Sequence, residues 1–152
     1  MLFRSVSADI GCHLFSINPP FNIGATTMGY GLGSAAASAL NGAGANRRPI
    51  AVMGDGGFWH NGLTSGVGNA VFNENDQLLV IVDNNYSAAT GGQDLLSSKG
   101  EVKNRSLKHP IEKAVRGVGV TWARTMSNTF KVAEMRDLFK EALTTPEKGP
   151  KV

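Results

Sequence analysis

The run Leu78-Leu79-Val80-Ile81-Val82, followed at once by Asp83-Asn84-Asn85-Tyr86, decides the fold. Five consecutive apolar residues leave no polar face, as in a parallel strand covered on both sides. Pro49-Ile50-Ala51-Val52-Met53 has the same character and runs straight into Gly54-Asp55-Gly56-Gly57. Ser5 to Ile10 reads as an earlier strand and Val118 to Ala123 as a later one. Helical patterns lie between them. Leu32 to Leu40 is rich in small residues; Leu63, Val67, Ala70 and Val71 form an apolar stripe; Val132, Met135, Phe139, Ala142 and Leu143 form another that closes near Pro146. Strands alternating with helices predict an α/β fold, a three-layer sandwich around a mainly parallel sheet. Asn84 to His109 has no clear period and reads as a functional or disordered loop, its Ser87 to Lys108 stretch mobile without ligand. Gly149-Pro150-Lys151-Val152 resembles the approach to a further strand. The chain is therefore expected to be a single domain over residues 1–152 and a piece of a larger subunit.

Composition narrows the function classes. The 152 residues are 41% hydrophobic and 18% charged, an ordinary globular balance with room for a real core. Nineteen glycines exceed that norm and cluster between Gly24 and Gly68, which points to tight turns and close backbone approach. The net charge of +3 is scattered, with no basic run longer than Arg47-Arg48, so no nucleic-acid stripe is expected. Cys12 is the single cysteine, which excludes an internal disulfide and an iron–sulfur cluster held by this chain, and fits a reducing, cytoplasmic setting. No apolar run reaches membrane-spanning length, so no membrane partner is expected.

In open α/β sheets ligands sit at the carboxyl ends of strands. Two such ends are unusually polar here, Gly54-Asp55-Gly56-Gly57 and Asp83-Asn84-Asn85-Tyr86, and one helix separates them. Magnesium takes hard oxygen ligands in an octahedron and few of them from protein. Asp55 offers a carboxylate oxygen, Asn84 an uncharged amide oxygen and Tyr86 a backbone carbonyl; phosphate oxygens and water would complete the shell. Gly54, Gly56 and Gly57 let backbone come close to a diphosphate, and a helix expected to begin near Asn61 would aim its positive end at it. His60, at that helix start, is a candidate phosphate contact.

Gly54-Asp55-Gly56, then a helix and a strand, then Asp83-Asn84, resembles the motif that holds magnesium and thiamine diphosphate in thiamine-diphosphate enzymes. Aligning the family's pair with Asp83-Asn84 puts the ligands at Asn84 and Tyr86; a slip of one residue gives Asn85 and Ser87. Thr27-Met28-Gly29-Tyr30-Gly31-Leu32 resembles the Thr-Met-Gly-Phe-Gly-Leu segment of acetolactate synthases, which implies that Met28 supports the bent cofactor. Two further segments point elsewhere. Asp9-Ile10-Gly11-Cys12-His13 and Thr90-Gly91-Gly92-Gln93 are similar to stretches of the 2-oxoacid:ferredoxin oxidoreductases, and Phe58-Trp59-His60-Asn61-Gly62 to the indolepyruvate type of that family. Ala89 stands where pyruvate-type members place an Asn near the cofactor, which favours an aryl-pyruvate substrate.

The resemblance implies a thiamine-diphosphate-binding (PP-type) fold and oxidative decarboxylation of a 2-oxo acid. Electrons would pass to iron–sulfur centres and ferredoxin, and the acyl group to coenzyme A. It implies Thr90 and Gly91 at the cofactor, and Cys12 near the reacting end. It also implies partners: a pyrimidine-binding domain carrying the glutamate that no position here matches, an iron–sulfur ferredoxin-like domain or subunit, and an oligomeric assembly. The isolated chain is expected to be inactive. A thiamine-diphosphate decarboxylase or carboligase domain is the first alternative, and a non-catalytic cofactor-binding module the second. Gly29-Tyr30-Gly31-Leu32-Gly33 superficially matches a dinucleotide fingerprint, but no good strand precedes it.

Overall fold

The computed structural model describes residues 6–24, 26–42, 47–98 and 109–152. Four parallel strands form one sheet in the order β2-β1-β3-β4: β1 Val6–Ala8, β2 Thr26–Thr27, β3 Ile50–Gly54 and β4 Leu78–Val82. Val52 pairs with Ala8 on one side and Val80 on the other, so the first apolar run lies inside the sheet and the second beside it, with Lys151 bridging to the outer side of β4. Helices cover both faces. On one face Ala51, Met53 and Leu79 pack with Ala37 of α1 (Gly33–Gly42), Phe58, Val67 and Val115 of α4 (Ile111–Gly117). On the other, Ile50, Leu78 and Val80 meet Trp122, Leu138 and Ala142, the last two from α5 (Val132–Thr144). This is the expected three-layer α/β arrangement. Each fully buried large side chain such as Phe58 or Leu79 contributes about 1.5–3 kcal/mol.

The helix after β3 departs from expectation in start and pitch. It begins at Asp55 rather than near Asn61, as α2 (Asp55–Gly57), continues as an eleven-residue π-helix (Phe58–Gly68) and ends as α3 (Asn69–Phe72). Glycines let it lie flat: a Cβ on Gly62 would meet Met53 Sδ at 2.5 Å, and one on Gly66 the Ser34 Cβ at 2.9 Å. The expected strand at 118–123 is absent. Val118 caps α4, Gly119 takes φ +106°, and only Trp122 makes a bridge, to Lys151. The run is apolar because it serves both layers: Trp122 packs with Ala142 of α5, while Val120 and Ala123 join Val115 of α4 in the core of the opposite face. α4, unread in the sequence, presents a single fully buried residue, Val115.

The approach of residues 150–152 to the sheet edge is as expected. Lys151 N–H donates to Gln77 O and its carbonyl accepts Leu79 N–H, each at 2.8 Å. Its side chain is fully buried, and the ammonium donates to Asp76 Oδ1 (2.5 Å), Gly149 O (2.7 Å) and Glu147 O. Arg48 Nε donates to the same Asp76 oxygen at 2.7 Å. Burial pushes the Asp76 carboxyl up, but Arg48 and Lys151 outweigh it and hold the group below the usual carboxylate range. The loop after β4 is described to Ser98 and again from His109; the remainder of the expected mobile stretch lies outside the described residues. Among the described residues no helix is long and apolar enough to cross a membrane.

Candidate functional site

Gly54 pairs with Val82, so the neighbouring strands β3 and β4 stop level and deliver Asp55 and Asp83 side by side at the carboxyl edge of the sheet. Asp55 is buried. Its Oδ1 accepts the Gly56 N–H at 2.8 Å and its Oδ2 the Asn84 N–H at 3.1 Å. The inward-facing atom of the Asn84 carboxamide lies 2.7 Å from the Tyr86 carbonyl oxygen and 3.1 Å from each Asp55 oxygen. An amide can present either end. Nitrogen inward, it donates to this ring of oxygens. Oxygen inward, Asp55, Asn84 and Tyr86 form a cluster of acceptors that a cation alone would hold together. Magnesium bonded at about 2.0–2.1 Å requires neighbouring oxygens about 2.9 Å apart, which these separations fit. The Ser87 carbonyl of the slipped alignment instead accepts the Gly92 N–H at 2.9 Å. Among the described residues no three His, Cys, Asp or Glu side chains converge, so an ion here would depend on neutral oxygens and its ligand.

Burial, and then the neighbouring Asp83 carboxyl, raise the Asp55 pKa to about 6, against the lowering effect of the Gly56 and Asn85 N–H groups. A lone buried carboxylate is costly, and a bound cation would relieve that cost.

Cys12 and His13 line the same small cleft, of about 80 Å³, as Asp55, Asn84 and Tyr86. Cys12 is exposed at the start of a 3-10 helix, Cys12–Ile17, that follows β1. The Gly-Cys segment and the metal motif, far apart in sequence, thus share one cavity. His60 does not join them. It is exposed, tilts against the Tyr30 ring at 5.1 Å, and borders an adjoining open groove of about 660 Å³ with Thr90. The reason is the early helix start, which carries His60 a turn beyond Asp55. The Thr90 hydroxyl is engaged by Ser87 and Gln93, and Gly91 is a turn residue at φ +111°. Met28 lies between β2 and α1, 51% exposed, near the sequence of other exposed apolar residues, Phe15, Phe21 and Ile23. Phe58 is core, and Trp59 is pinned by Nε1 to Ser97 Oγ at 3.0 Å. The glycines differ in what they permit. A Cβ on Gly57 would fall on Asp9 Oδ2 and one on Gly56 on the Tyr30 hydroxyl, whereas Gly54 has open space.

Sequence reasoning assigned no role to Asp9, though it closes β1 as Asp55 and Asp83 close β3 and β4. Its carboxylate is fully buried and accepts the Gly31 N–H with both oxygens, each at 2.9 Å. It thereby ties the Met28–Gly31 turn to the first strand. Burial raises its pKa, opposed by N–H groups of Ile10, Gly31 and Leu32 and by His13. The signal was present: three strands each end on an acid.

Known proteins resemble the chain in sequence and in fold. The chain is 32% identical over 143 residues to the indolepyruvate oxidoreductase subunit IorA of Archaeoglobus fulgidus and 30% identical over 149 residues to that of Pyrococcus horikoshii. These alignments cover 91% and 90% of the chain but 22% and 23% of the relatives, so it spans about a quarter of their length. Its fold is similar to a 2-oxoglutarate:ferredoxin oxidoreductase from Magnetococcus marinus, with a TM-score of 0.76 at 17% identity, over 97% of this chain and 51% of that one. A putative thiamin diphosphate-dependent enzyme from Mycobacterium smegmatis gives a TM-score of 0.68 at 19% identity, over 98% and 27%. The family model described as thiamine pyrophosphate enzyme, C-terminal TPP binding domain, matches residues 9–152, and the chain belongs to that family.

Proposed function

We propose that this chain is the diphosphate- and magnesium-binding half of a thiamine-diphosphate-dependent 2-oxoacid oxidoreductase, of the type that acts on an aryl-pyruvate such as indolepyruvate. The observation that carries the metal assignment is the convergence of Asp55, the Asn84 amide and the Tyr86 carbonyl at 2.7–3.1 Å. The oxidoreductase assignment rests on similarity to the IorA subunits and on the Gly11-Cys12 segment lying in the same cleft.

Asp55 and Asn84 hold the ion from the strand ends, and Tyr86 adds its carbonyl. Gly56 and Gly57 bring the first-turn backbone of the helix within reach of the diphosphate, where its positive end favours the anion. Met28 supports the bent cofactor, Thr90 and Gly91 close the diphosphate side, and Cys12 faces the reacting end. His60 is left as an outer phosphate contact. Bound there, thiamine diphosphate supplies an electron sink for the pair left behind when a 2-oxo acid loses CO2. A pyrimidine-binding domain would cover the exposed apolar residues Phe15, Phe21 and Met28 in an oligomer. An iron–sulfur ferredoxin-like domain or subunit would pass electrons to ferredoxin, and coenzyme A would take the acyl group, all in the cytoplasm.

Asp55→Ala should abolish magnesium-dependent binding of thiamine diphosphate; unchanged affinity would refute the metal site. Acceptor-linked turnover by the complete assembly separates the oxidoreductase from a decarboxylase or carboligase, the reading that the Thr27-Met28-Gly29 segment favours. Oxidative decarboxylation by the purified 152-residue chain alone would contradict the half-site reading.

A further inference from the structure

The loop after β4 folds back on itself. Ser87 N–H donates to Gln93 O and Gly92 N–H to Ser87 O, both at 2.9 Å, and Gly91 and Gly92 supply the positive φ that the turn needs. Within it the Ser87 and Thr90 hydroxyls lie 2.7 Å apart, and Thr90 donates to Gln93 Oε1 at 2.5 Å. One end of this hydroxyl chain leaves the loop: the Tyr30 hydroxyl, 57 positions earlier, is 2.9 Å from Ser87 Oγ. Ser87 is buried, so its Oγ is shared between two partners rather than with water.

This bond crosses directly over the start of the site helix. A Cβ on Gly56 would fall on the Tyr30 hydroxyl and come within 2.8 Å of Ser87 Oγ. The space that a side chain would fill at Gly56 is therefore occupied by the two hydroxyls. Ser87 also directly follows Tyr86, whose carbonyl is one of the three converging oxygens. A carbonyl can only hold its place if the next residue is held.

We propose that Tyr30 is a positioning residue, whose hydroxyl latches the Ser87–Gln93 turn across Gly56 and so fixes the reach of the Tyr86 carbonyl toward the metal site. The claim rests on the metal-site reading above. The ring of Tyr30 is anchored separately, against His60, so Tyr30→Phe removes the latch without removing the wall.

Three measurements on the complete assembly test it. In hydrogen exchange without ligand, Tyr30→Phe should speed the Ser87 and Gly92 amides roughly three- to tenfold, the loss of one hydrogen bond, and leave β3 and β4 amides unchanged. With thiamine diphosphate present, Mn2+ titrated as a paramagnetic probe should bind about five- to tenfold more weakly. Gly56→Ala should be tolerated better with Tyr30→Phe than alone, a coupling that generic destabilisation would not produce. Unchanged exchange overturns the latch. Faster exchange with unchanged Mn2+ affinity overturns its positioning role. Failure of the unsubstituted enzyme to bind Mn2+ with thiamine diphosphate overturns the metal-site reading and the positioning role with it, while the exchange result still decides the latch. If Tyr30→Phe does not fold, Ser87→Ala breaks the same bond from the other side together with its bond to Thr90, and is read against Thr90→Val, which removes the Thr90 hydroxyl alone.

Discussion

Asp55→Asn should make the ligand-free chain more stable at alkaline pH while destroying its response to metal. The buried carboxyl has a pKa of about 6 against an ordinary 3.8. A raised folded-state pKa means that the stability linked to the protonated group is fully present below pH 3.8 and is lost as pH rises through about 6. That rise corresponds to at most about 3 kcal/mol at pH 8. The substitution removes that penalty but gives up one of the two N–H acceptors that Asp55 provides, about 1 kcal/mol. The net expectation is a gain of about 1–2 kcal/mol at pH 8 that disappears near pH 4. Urea unfolding at both pH values measures it directly. With Mg2+–thiamine diphosphate at a hundredfold excess over its dissociation constant, the unsubstituted chain gains about 2.7 kcal/mol and the order reverses. A variant no more stable than the parent at pH 8, or equally stabilised at both pH values, would refute the reasoning.

Other consequences are more local. Gly31 combines φ +83° with the Gly57 carbonyl 2.7 Å from where a Cβ would stand, so Gly31→Ala should cost about 2–4 kcal/mol. Gly92 has a similar φ of +80° but open space, and Gly92→Ala should cost only about 1 kcal/mol; thermal unfolding of the pair separates strain from collision. Lys151→Met leaves two carbonyls without this donor and Asp76 with Arg48 alone, and should cost about 1–3 kcal/mol by denaturant titration. Because the Asp76 pKa is depressed, the stability it contributes is present above the ordinary carboxylate range and is lost as pH falls through its folded value. The acid limb of the parent's stability profile should therefore be steeper than that of Lys151→Met.

The central sheet was legible because it is covered on both faces: two apolar runs admit no amphipathic helix. The placing of Asp55 and Asp83 was legible for the same reason, since polar residues directly after such runs must lie at a strand end. Spacing could not reveal pitch. Leu63, Val67, Ala70 and Val71 read as an α-helical stripe, yet Leu63 and Val71 are only partly buried, and Gly62 and Gly66 make the close contacts through π-helical turns. Val118 to Ala123 misled because its apolar residues are divided between the two layers, Trp122 with α5 and Val120 and Ala123 with the α4 side, and only Trp122 joins a bridge. Tyr30 and Ser87 were invisible because their meeting depends on loop conformation, which no periodicity encodes. Asp9 was within reach, had the acid at each strand end been compared.

The π-helix gives the site helix slack in length. Turns closed by i to i+5 bonds carry more residues than α turns over the same rise, so the segment 58–68 stores chain that an α pitch would not need. A deletion of one residue there can be absorbed by local reversion to α geometry, with Asp55 still at the sheet edge and Ala70 still in the core. A deletion in α1, which has no such reserve, must instead drag one of its ends. A chain one residue shorter in this helix is therefore expected to keep the same strand-end geometry, its pitch shifting toward α.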